Sequence, residues 1–353
     1  MKKPYQHRLT NLIFSLLLAF ISLQKTAAQG TETQRKIDSL LHNLHKSGDF
    51  NGTALVVKGE HTVYERSFGY SNGVEKDFLK TSDKFGIGSI YKELPAIAIM
   101  LLQEKGLLSI EDAISEYLPT LPDWSKTITI KNLFQYTSGL PKVNWGKHKL
   151  ISDAALLHDL TTLKTLQFKP NTGYLYSNYN PFLLAQIVQN VSGKSFANYI
   201  KEKVLKPVGL THSGFNTVFP YEKRNGMAMP FNDDFEEDSI PFEIKSPLFL
   251  FTTSAYDLYK LNHELHNFNI ISENSLKTIS QITSLDFDNK QSPLGEVEIF
   301  DGKIIKHAHH GSSGNYECLV LKDVKHDLTI VLLTNRKKRN VHEISDEIGR
   351  MIL

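Results

Sequence analysis

A serine and a lysine three residues apart, Ser89 and Lys92, are the strongest candidates for chemistry in this chain of 353 residues. They follow the glycine-rich stretch Gly86-Ile-Gly88, and an apolar helical pattern continues from Ser89 to Leu108. Residues three apart on a helix lie on one face, so the hydroxyl and the amine can meet. Unpaired backbone N–H groups at a helix start would stabilise an oxyanion beside Ser89. The spacing therefore predicts an activated serine nucleophile with Lys92 as its base.

The tetrad Ser-x-x-Lys is a weak signal by itself, because it occurs a second time at Ser22–Lys25. A serine that only caps a solvated helix start is the simpler explanation of one such tetrad. The functional interpretation of Ser89 therefore depends on further polar groups that the fold brings to it.

A second polar stretch, Tyr176-Ser177-Asn178, follows a loop that begins at Pro170. A phenol has an unperturbed pKa of about 10, and a nearby ammonium stabilises the phenolate. Held by Lys92, Tyr176 would exchange protons with the nucleophile and later with water, and Asn178 would donate to a substrate carbonyl or hold Lys92. The alternative is a polar loop in which Ser177 and Asn178 only cap the next helix.

A third stretch, His309-His310-Gly311-Ser312, has the composition of a strand that lines a site. Gly311 would let the strand backbone approach a ligand closely, and the N–H of Ser312 would complete an oxyanion hole with the N–H of Ser89. Strand alternation places His307 and His309 on one face, with His309 towards the cleft, and His310 on the other face. An edge strand with solvated imidazoles is the alternative.

Zinc is a rival interpretation of the same histidines. His307 and His309 have a spacing found in zinc sites, and His310 adds a third imidazole. No carboxylate follows closely, as the common zinc hydrolase pattern His-x-His-x-Asp would require. We therefore favour a site without metal, and the sequence predicts no cofactor.

The predicted elements give an α+β fold. Helical spacing over Thr33–Lys46 is followed by a β-hairpin, a long and mainly helical middle, more strands and a C-terminal amphipathic helix. These elements predict one antiparallel sheet flanked by N- and C-terminal helices, with an inserted helical lobe. The sheet lobe would comprise about residues 33–88 and 290–353, and the helical lobe about 89–289. Pro95 falls inside the Ser89 helix, where we expect a local kink.

The N-terminus has the pattern of an export signal. The basic residues Lys2, Lys3 and Arg8 precede the apolar run Leu12–Leu23. We expect residues 1–28 to be a signal peptide cleaved after Ala28, which predicts a periplasmic or secreted protein. The apolar run is too short to span a bilayer comfortably, although an uncleaved anchor is the alternative.

Charge and cysteine content exclude two further classes. Removal of residues 1–28 takes away four basic and no acidic residues, which changes the formal charge from +2 to about −2. A near-neutral chain gives no electrostatic reason to expect a nucleic-acid partner. The single cysteine, Cys318, excludes an intramolecular disulfide, and its apolar surroundings in the sequence predict a core position.

Three motifs in this order, SIYK, YSN and HHG, with QYTSGLP between the first two, resemble the serine β-lactamase-like superfamily. This superfamily comprises class C β-lactamases, D,D-peptidases, D-aminopeptidases and related esterases, and the resemblance covers about Thr33–Leu353. It implies a β-lactamase/transpeptidase-like fold. It also implies these roles: Ser89 as the acylated nucleophile, Lys92 as its proton acceptor, Tyr176 as acid and base for leaving group and water, Asn178 as a substrate ligand, and Ser312 as a donor to the oxyanion.

The resemblance also has departures. It implies that His309 takes the place often held by the lysine of a Lys-Thr-Gly strand motif. An imidazole is mostly neutral at pH 7 and pairs weakly with a substrate carboxylate, which favours an esterase or amidase/peptidase over an efficient β-lactamase. Asn171 replaces the usual glycine after Pro170, and Ser313-Gly314-Asn315 does not match the family pattern.

The sequence therefore predicts an exported serine hydrolase that acts through an acyl-enzyme on an ester or an amide/peptide. A non-catalytic cell-wall or peptide-binding module of the same fold is the second hypothesis, and a zinc hydrolase is the third. The expected partner is a small-molecule or peptide substrate, with no membrane span after signal removal. The sequence leaves open whether the substrate is an ester, a D-peptide or a β-lactam, and which oligomeric state the chain adopts.

Overall fold

The structure, a computed structural model, describes residues 32–222 and 224–353. The predicted signal peptide and its cleavage after Ala28 lie outside the described residues. No helix within the described ranges is long and apolar enough to cross a membrane.

The bounds of the elements follow in chain order. The strands are β1 Gly52–Lys58, β2 His61–Phe68, β3 Phe85–Gly86, β4 Leu150–Ile151, β5 Ser213–Phe215, β6 Glu243–Ile244, β7 Phe251–Thr253, β8 Glu296–Phe300, β9 Lys303–Ser313, β10 Tyr316–Asp323 and β11 Leu328–Thr334. The α-helices are α1 over residues 32–47, α2 Glu93–Gln103, α3 Ile130–Phe134, α4 Asp153–Thr161, α5 Tyr179–Ser192, α6 Phe196–Ile200, α7 Lys206–Val208, α8 Ala255–His266, α9 Glu273–Ser280 and α10 Val341–Ile352.

Strands from both ends of the described chain form one antiparallel sheet in the order β2-β1-β11-β10-β9-β8. The hairpin between β1 and β2 turns at Gly59, whose φ of +62° is a conformation that glycine adopts without strain. The helices of the middle segment lie between the two groups of strands in the sequence. The α+β fold expected from the sequence is therefore confirmed.

The two faces of the sheet are covered by different helices. On one face, Val56 and Ile330 pack with Ile37 of α1 and Ile344 of α10. On the other face, the alternate strand residues such as Leu55 join the larger core that contains α2 and α5. Both faces of the sheet are covered, and the sequences of β1 and β11 are accordingly nearly continuous apolar runs. Cys318 of β10 is fully buried, as expected.

The segment around Ser89 begins as a 3₁₀ turn, Gly88–Lys92, and continues as α2 from Glu93. The sequence predicted a single α-helix from Ser89 with a kink at Pro95. Pro95 is instead the third residue of α2, within the first turn, where N–H groups have no intrahelical partner. The proline is therefore accommodated at a helix start and removes no hydrogen bond from a helix interior.

Candidate active site

The 3₁₀ turn brings the Ser89 hydroxyl and the Lys92 amine together. Side chains at positions i and i+3 eclipse one another in this helix type, and Lys92 Nζ lies 2.9 Å from Ser89 Oγ. Lys92 is only 3% exposed. Burial disfavours its charged form and lowers its pKa to about 7. The amine is therefore available as a base near neutral pH.

Two tyrosines lie against Lys92. Its Nζ is 4.7 Å from the ring centroid of Tyr91 and 4.8 Å from that of Tyr176. The Tyr176 phenol lies near the Ser89 hydroxyl. Ser89, Lys92 and Tyr176 therefore lie around one point, which the sequence analysis required for an activated serine.

The protonation state of Tyr176 differs from the expectation that Lys92 would stabilise its phenolate. Burial raises the pKa of Tyr176 to about 12, and the neighbouring hydroxyls of Ser89 and Tyr136 only partly oppose this effect. The physical reason is that burial also removes the charge from Lys92, so no permanent ammonium faces the phenol. Tyr176 is a neutral phenol at ordinary pH and is placed to give a proton.

Asn178 lies at the start of α5 and lines the cavity beside Ser89. Its Oδ1 accepts a hydrogen bond of 3.2 Å from the Tyr91 hydroxyl, and its side chain makes no cap to the helix. Ser177 bonds elsewhere, because its hydroxyl donates to the Pro141 carbonyl and accepts from the Tyr179 N–H. The helix-capping alternative therefore describes Ser177 but not Asn178.

Two glycines let strand β9 approach the Ser89 turn. Gly88 has a φ of +51°, and a Cβ there would clash with the backbone nitrogen of Ser312. A Cβ on Gly311 would clash with the carbonyl oxygen of Ile87. Glycine at both positions therefore lets the backbone of Ser312 lie close to the turn that carries Ser89.

His309 does not lie where the sequence analysis placed it. It is 2% exposed, and the described residues that line the cavity do not include it. Its Nδ1 is 2.7 Å from Oε1 of Glu93, the first residue of α2. The buried carboxylate needs a hydrogen-bond donor and holds the imidazole away from the cleft. The alternation itself is as expected, since His307 is buried on the same face and His310 bonds Glu317 on the other.

Glu93, His307 and His309, here called the Glu93 cluster, also bear on the zinc alternative. One ligand atom from each lies within 4.8 Å of the others, so α2 supplies a carboxylate that the sequence near the histidines lacks. However, the 2.7 Å between His309 Nδ1 and Glu93 Oε1 is a hydrogen-bond distance. Ligand atoms around a tetrahedral zinc ion are about 3.3 Å apart. The spacing fits a shared proton, and we assign no metal here.

The charge state of the Glu93 cluster follows from its contacts. Burial alone would raise the pKa of Glu93, but the hydrogen bond with His309 and the proximity of His307 lower the pKa to about 2. Burial lowers the pKa of His309, although Glu93 opposes this shift. The cluster therefore contains an ionised carboxylate that accepts a hydrogen bond from the neutral imidazole of His309 at pH 7.

A cavity of about 440 Å³ opens beside Ser89 and Lys92. Its walls are rich in aromatic side chains: Trp145, Phe219, Tyr221, Phe242, Phe249 and Phe251. The Asp238 carboxylate also lines it and accepts from the backbone N–H of Asn315 at 2.7 Å. The cavity thus offers a mainly apolar surface next to the nucleophile.

Sequence reasoning missed three residues around this site. Tyr91 is inside the SIYK motif, Glu93 directly follows it, and Tyr136 is inside QYTSGLP. The first and third were quoted only as parts of motifs, because their types gave no reason to single them out. The partner of Glu93 is far away in sequence, so no local pattern could reveal it.

Comparison with known proteins gives both sequence and structural relatives. A sequence profile of the β-lactamase family matches residues 37–351. Penicillin-binding protein 4* of Bacillus subtilis is 26% identical over 348 residues, which cover 88% of this chain and 73% of that protein. The putative penicillin-binding protein PbpX of the same species is 33% identical. The aligned residues cover 71% of this chain and 64% of that protein.

Solved structures share the fold. A penicillin-binding protein from Bacillus halodurans gives a TM-score of 0.76 at 23% identity, covering 88% of this chain and 99% of that chain. A D-amino acid amidase from Ochrobactrum anthropi gives 0.74 at 19% identity, covering 91% and 98%. Together with the family profile over nearly the whole described chain, these matches confirm the resemblance seen in the motifs: the chain belongs to the β-lactamase family.

Proposed function

We propose that this protein is an exported serine hydrolase that works through an acyl-enzyme on ester or amide/peptide substrates. The observation that carries the proposal is the 2.9 Å contact between Ser89 Oγ and a lysine amine whose pKa burial lowers to about 7. A fully buried lysine in contact with a hydroxyl is suited to remove its proton.

Acylation begins with the proton of Ser89. Neutral Lys92 accepts it while Ser89 Oγ attacks the substrate carbonyl carbon. The developing oxyanion is bound by the backbone N–H groups of Ser89 and Ser312, and Asn178 donates to the substrate from the cavity wall. Loss of one such oxyanion donor costs about 2.7–4 kcal/mol of barrier.

Departure of the leaving group needs a second proton, and Tyr176 is its source. The neutral phenol gives its proton to the leaving oxygen or nitrogen. Lys92, which by then carries the proton of Ser89, returns it to Tyr176, whose ring lies against the amine. Both groups are then ready for hydrolysis, in which the proton of water takes the same route in reverse and Ser89 is released.

The lining of the cavity favours one class of substrate. Its aromatic walls suit a bulky apolar acyl group, and His309 does not provide a cation to it. These features favour an ester or amide over a substrate that the enzyme would recognise through a carboxylate group. One structural relative is a D-amino acid amidase, which is compatible with an amide substrate.

Intact-mass analysis with a fluorophosphonate probe, and in parallel with a penicillin, tests the proposal. We expect one stoichiometric adduct on the wild type and none on Ser89→Ala. Ser239→Ala is the matched control, because it removes another serine hydroxyl that lines the same cavity. It should be labelled like the wild type.

Two outcomes would contradict the proposal. An unlabelled wild type that still binds esters, D-amino-acid peptides or cephalosporins without turnover would indicate the non-catalytic binding module. Equal labelling of wild type and Ser89→Ala would show that another residue is the nucleophile.

A further inference from the structure

We propose that Asp238 selects substrates by charge: its carboxylate, at the edge of the aromatic cavity, binds a cationic amine on the acyl group of the substrate. The identity of the substrate rests on the proposed function, whereas binding of the cation needs no catalysis. The chemical class is an ester or amide whose acyl chain carries a protonated or quaternary amine. The turn Ser313-Gly314-Asn315, which departs from the family pattern, has the task of holding this carboxylate.

The turn between β9 and β10 fixes the position of the Asp238 carboxylate. Its Oδ2 accepts from the backbone N–H of Asn315 at 2.7 Å, and its Oδ1 accepts from the side-chain amide of the same residue. Gly314 has a φ of +55°, and a Cβ there would lie 1.9 Å from Asp238 Oδ2. Glycine at this position therefore lets the carboxylate pack directly against the turn.

This turn lies close to the nucleophile. Ser312 packs against the backbone that leads into Ser89, because a Cβ on Gly88 would lie 2.3 Å from the Ser312 nitrogen. A strand advances about 3.3 Å per residue, so Gly314 lies at most about 7 Å farther along the chain than Ser312. Asp238 and Ser89 line the same cavity. An acyl group bound to Ser89 can therefore extend to the carboxylate.

The Asp238 carboxylate is available to a ligand. It is half-buried, and within residues 32–222 and 224–353 no lysine, arginine or histidine forms an ion pair with it. Nearby acids differ, since Asp233 pairs with Arg336 and Glu237 pairs with Arg224. The two hydrogen bonds from Asn315 occupy two of about four acceptor sites of the carboxylate. Asp238 therefore presents a negative charge and free acceptor sites to the cavity.

The aromatic wall of the cavity adds to the preference for a cation. Four of its rings belong to Trp145, Tyr221, Phe242 and Phe249. The face of an aromatic ring attracts cations, and groups of such rings bind quaternary ammonium ions. A carboxylate among aromatic side chains therefore suits an amine cation on an apolar chain, and it repels a substrate carboxylate.

The test compares kcat/KM for two p-nitrophenyl esters of the same shape, prepared with several spacer lengths. The acyl chain of one ends in trimethylammonium, which has no N–H that could attack the ester, and that of the other ends in the uncharged tert-butyl group. In Asp238→Asn we expect the ratio of kcat/KM for the cationic and the neutral ester to fall about five- to tenfold. Asparagine keeps the size and one acceptor oxygen for Asn315 and removes only the charge.

Glu236→Gln is the matched control, because it removes the same charge from an exposed residue two positions away. It should keep the wild-type ratio. Equal losses on both esters in Asp238→Asn would show that Asp238 only holds the turn. A fall of the ratio in Glu236→Gln as large as in Asp238→Asn would show an effect of net charge. Either result would overturn the inference.

A second measurement needs no reaction. Calorimetry with hexyltrimethylammonium should show binding to the wild type and about five- to tenfold weaker binding to Asp238→Asn. Equal binding to the two proteins overturns the cation site, even where the wild type forms the Ser89 adduct and the proposed function stands. Binding that depends on Asp238 in a wild type that forms no adduct supports the cation site and overturns the proposed function.

Discussion

Lys92 and Glu93 follow one another in the chain and are both almost fully buried, yet their side chains lie in different surroundings. Lys92 lies between two tyrosine rings beside Ser89 and the cavity. Glu93 lies against His307 and His309 on the face of the sheet. Burial lowers the pKa of Lys92 to about 7, so it gives up its charge, whereas the two neighbouring histidines lower the pKa of Glu93 to about 2, so it keeps its charge.

The difference shows two ways in which a fold handles a buried charge. A charged group without a counter-charge becomes neutral, and it then has a lone pair that can do chemistry. A buried carboxylate that accepts hydrogen bonds from neighbouring donors remains ionised, and its role is in the stability of the fold. We therefore expect substitutions at position 92 to act on the reaction and substitutions at position 93 to act on stability.

The largest effect is expected for Lys92→Met, which keeps the length of the side chain and removes the amine. Without the base, kcat/KM should fall by about 10²–10⁴-fold. The free energy of unfolding should be unchanged or larger, because methionine is buried without a desolvation cost. Steady-state kinetics and urea denaturation check the two parts. Lys338→Met, at a surface ion pair with Asp233, is the control and should keep full activity.

The second effect is on stability and concerns Glu93→Leu. The leucine leaves the ring N–H of His309 without an acceptor in the core, and unfolding should become easier by about 3 kcal/mol. Glu93→Gln, which keeps an acceptor oxygen, should lose less. Urea unfolding measures both. If Glu93→Leu were as stable as the wild type while losing activity as strongly as Lys92→Met, the distinction between the two positions would be wrong.

The two positions also show what a sequence can predict. The Ser89–Lys92 contact is local, because a spacing of three residues joins the two groups in any helical turn. The hairpins, the antiparallel sheet and the terminal helices were predictable for the same reason, since their patterns are short and periodic. The approach of strand β9 through Gly311 was also foreseeable, because glycine in a strand indicates a close backbone contact.

The position of His309 could not be predicted in this way. Strand alternation gave the correct face, but the same face meets both the cavity and the start of α2. Which of these the imidazole contacts depends on Glu93, a residue more than two hundred positions away in the sequence. The protonation of Tyr176 was unpredictable for a related reason, because its pKa depends on how deeply the fold buries both the phenol and Lys92.

The third prediction concerns pH and assigns the two positions to different pH windows. Activity requires neutral Lys92, so kcat/KM should rise about tenfold per pH unit up to about pH 7 and then level off. The unfolded chain binds a proton at Lys92 up to about pH 10.5, so between about pH 7 and 10.5 this group makes the folded state more stable as pH rises.

Glu93 acts in the acid range. Its pKa is lowered from 4.5 to about 2 on folding, so its contribution to stability is complete above about pH 4.5 and is lost as pH falls towards 2. Rate profiles and urea titrations across pH measure these windows. A wild-type rate profile that is flat from pH 5 to 8 would contradict the role of Lys92. Acid sensitivity that persists unchanged in Glu93→Gln would contradict the role of Glu93.

The smallest effect is expected for His309→Lys, which places at this position the cation found in related strand motifs. If His309 faced the substrate, the ammonium would attract acidic substrates, and the ratio of kcat/KM for an acidic and a neutral ester would rise. In the structure the side chain at 309 is 2% exposed and points to Glu93. The new ammonium should therefore pair with that carboxylate, and the ratio should change by less than about twofold, within the range of a screened ion pair. A rise of tenfold or more would show that position 309 reaches the substrate after all, and that the Glu93 cluster is part of the binding site.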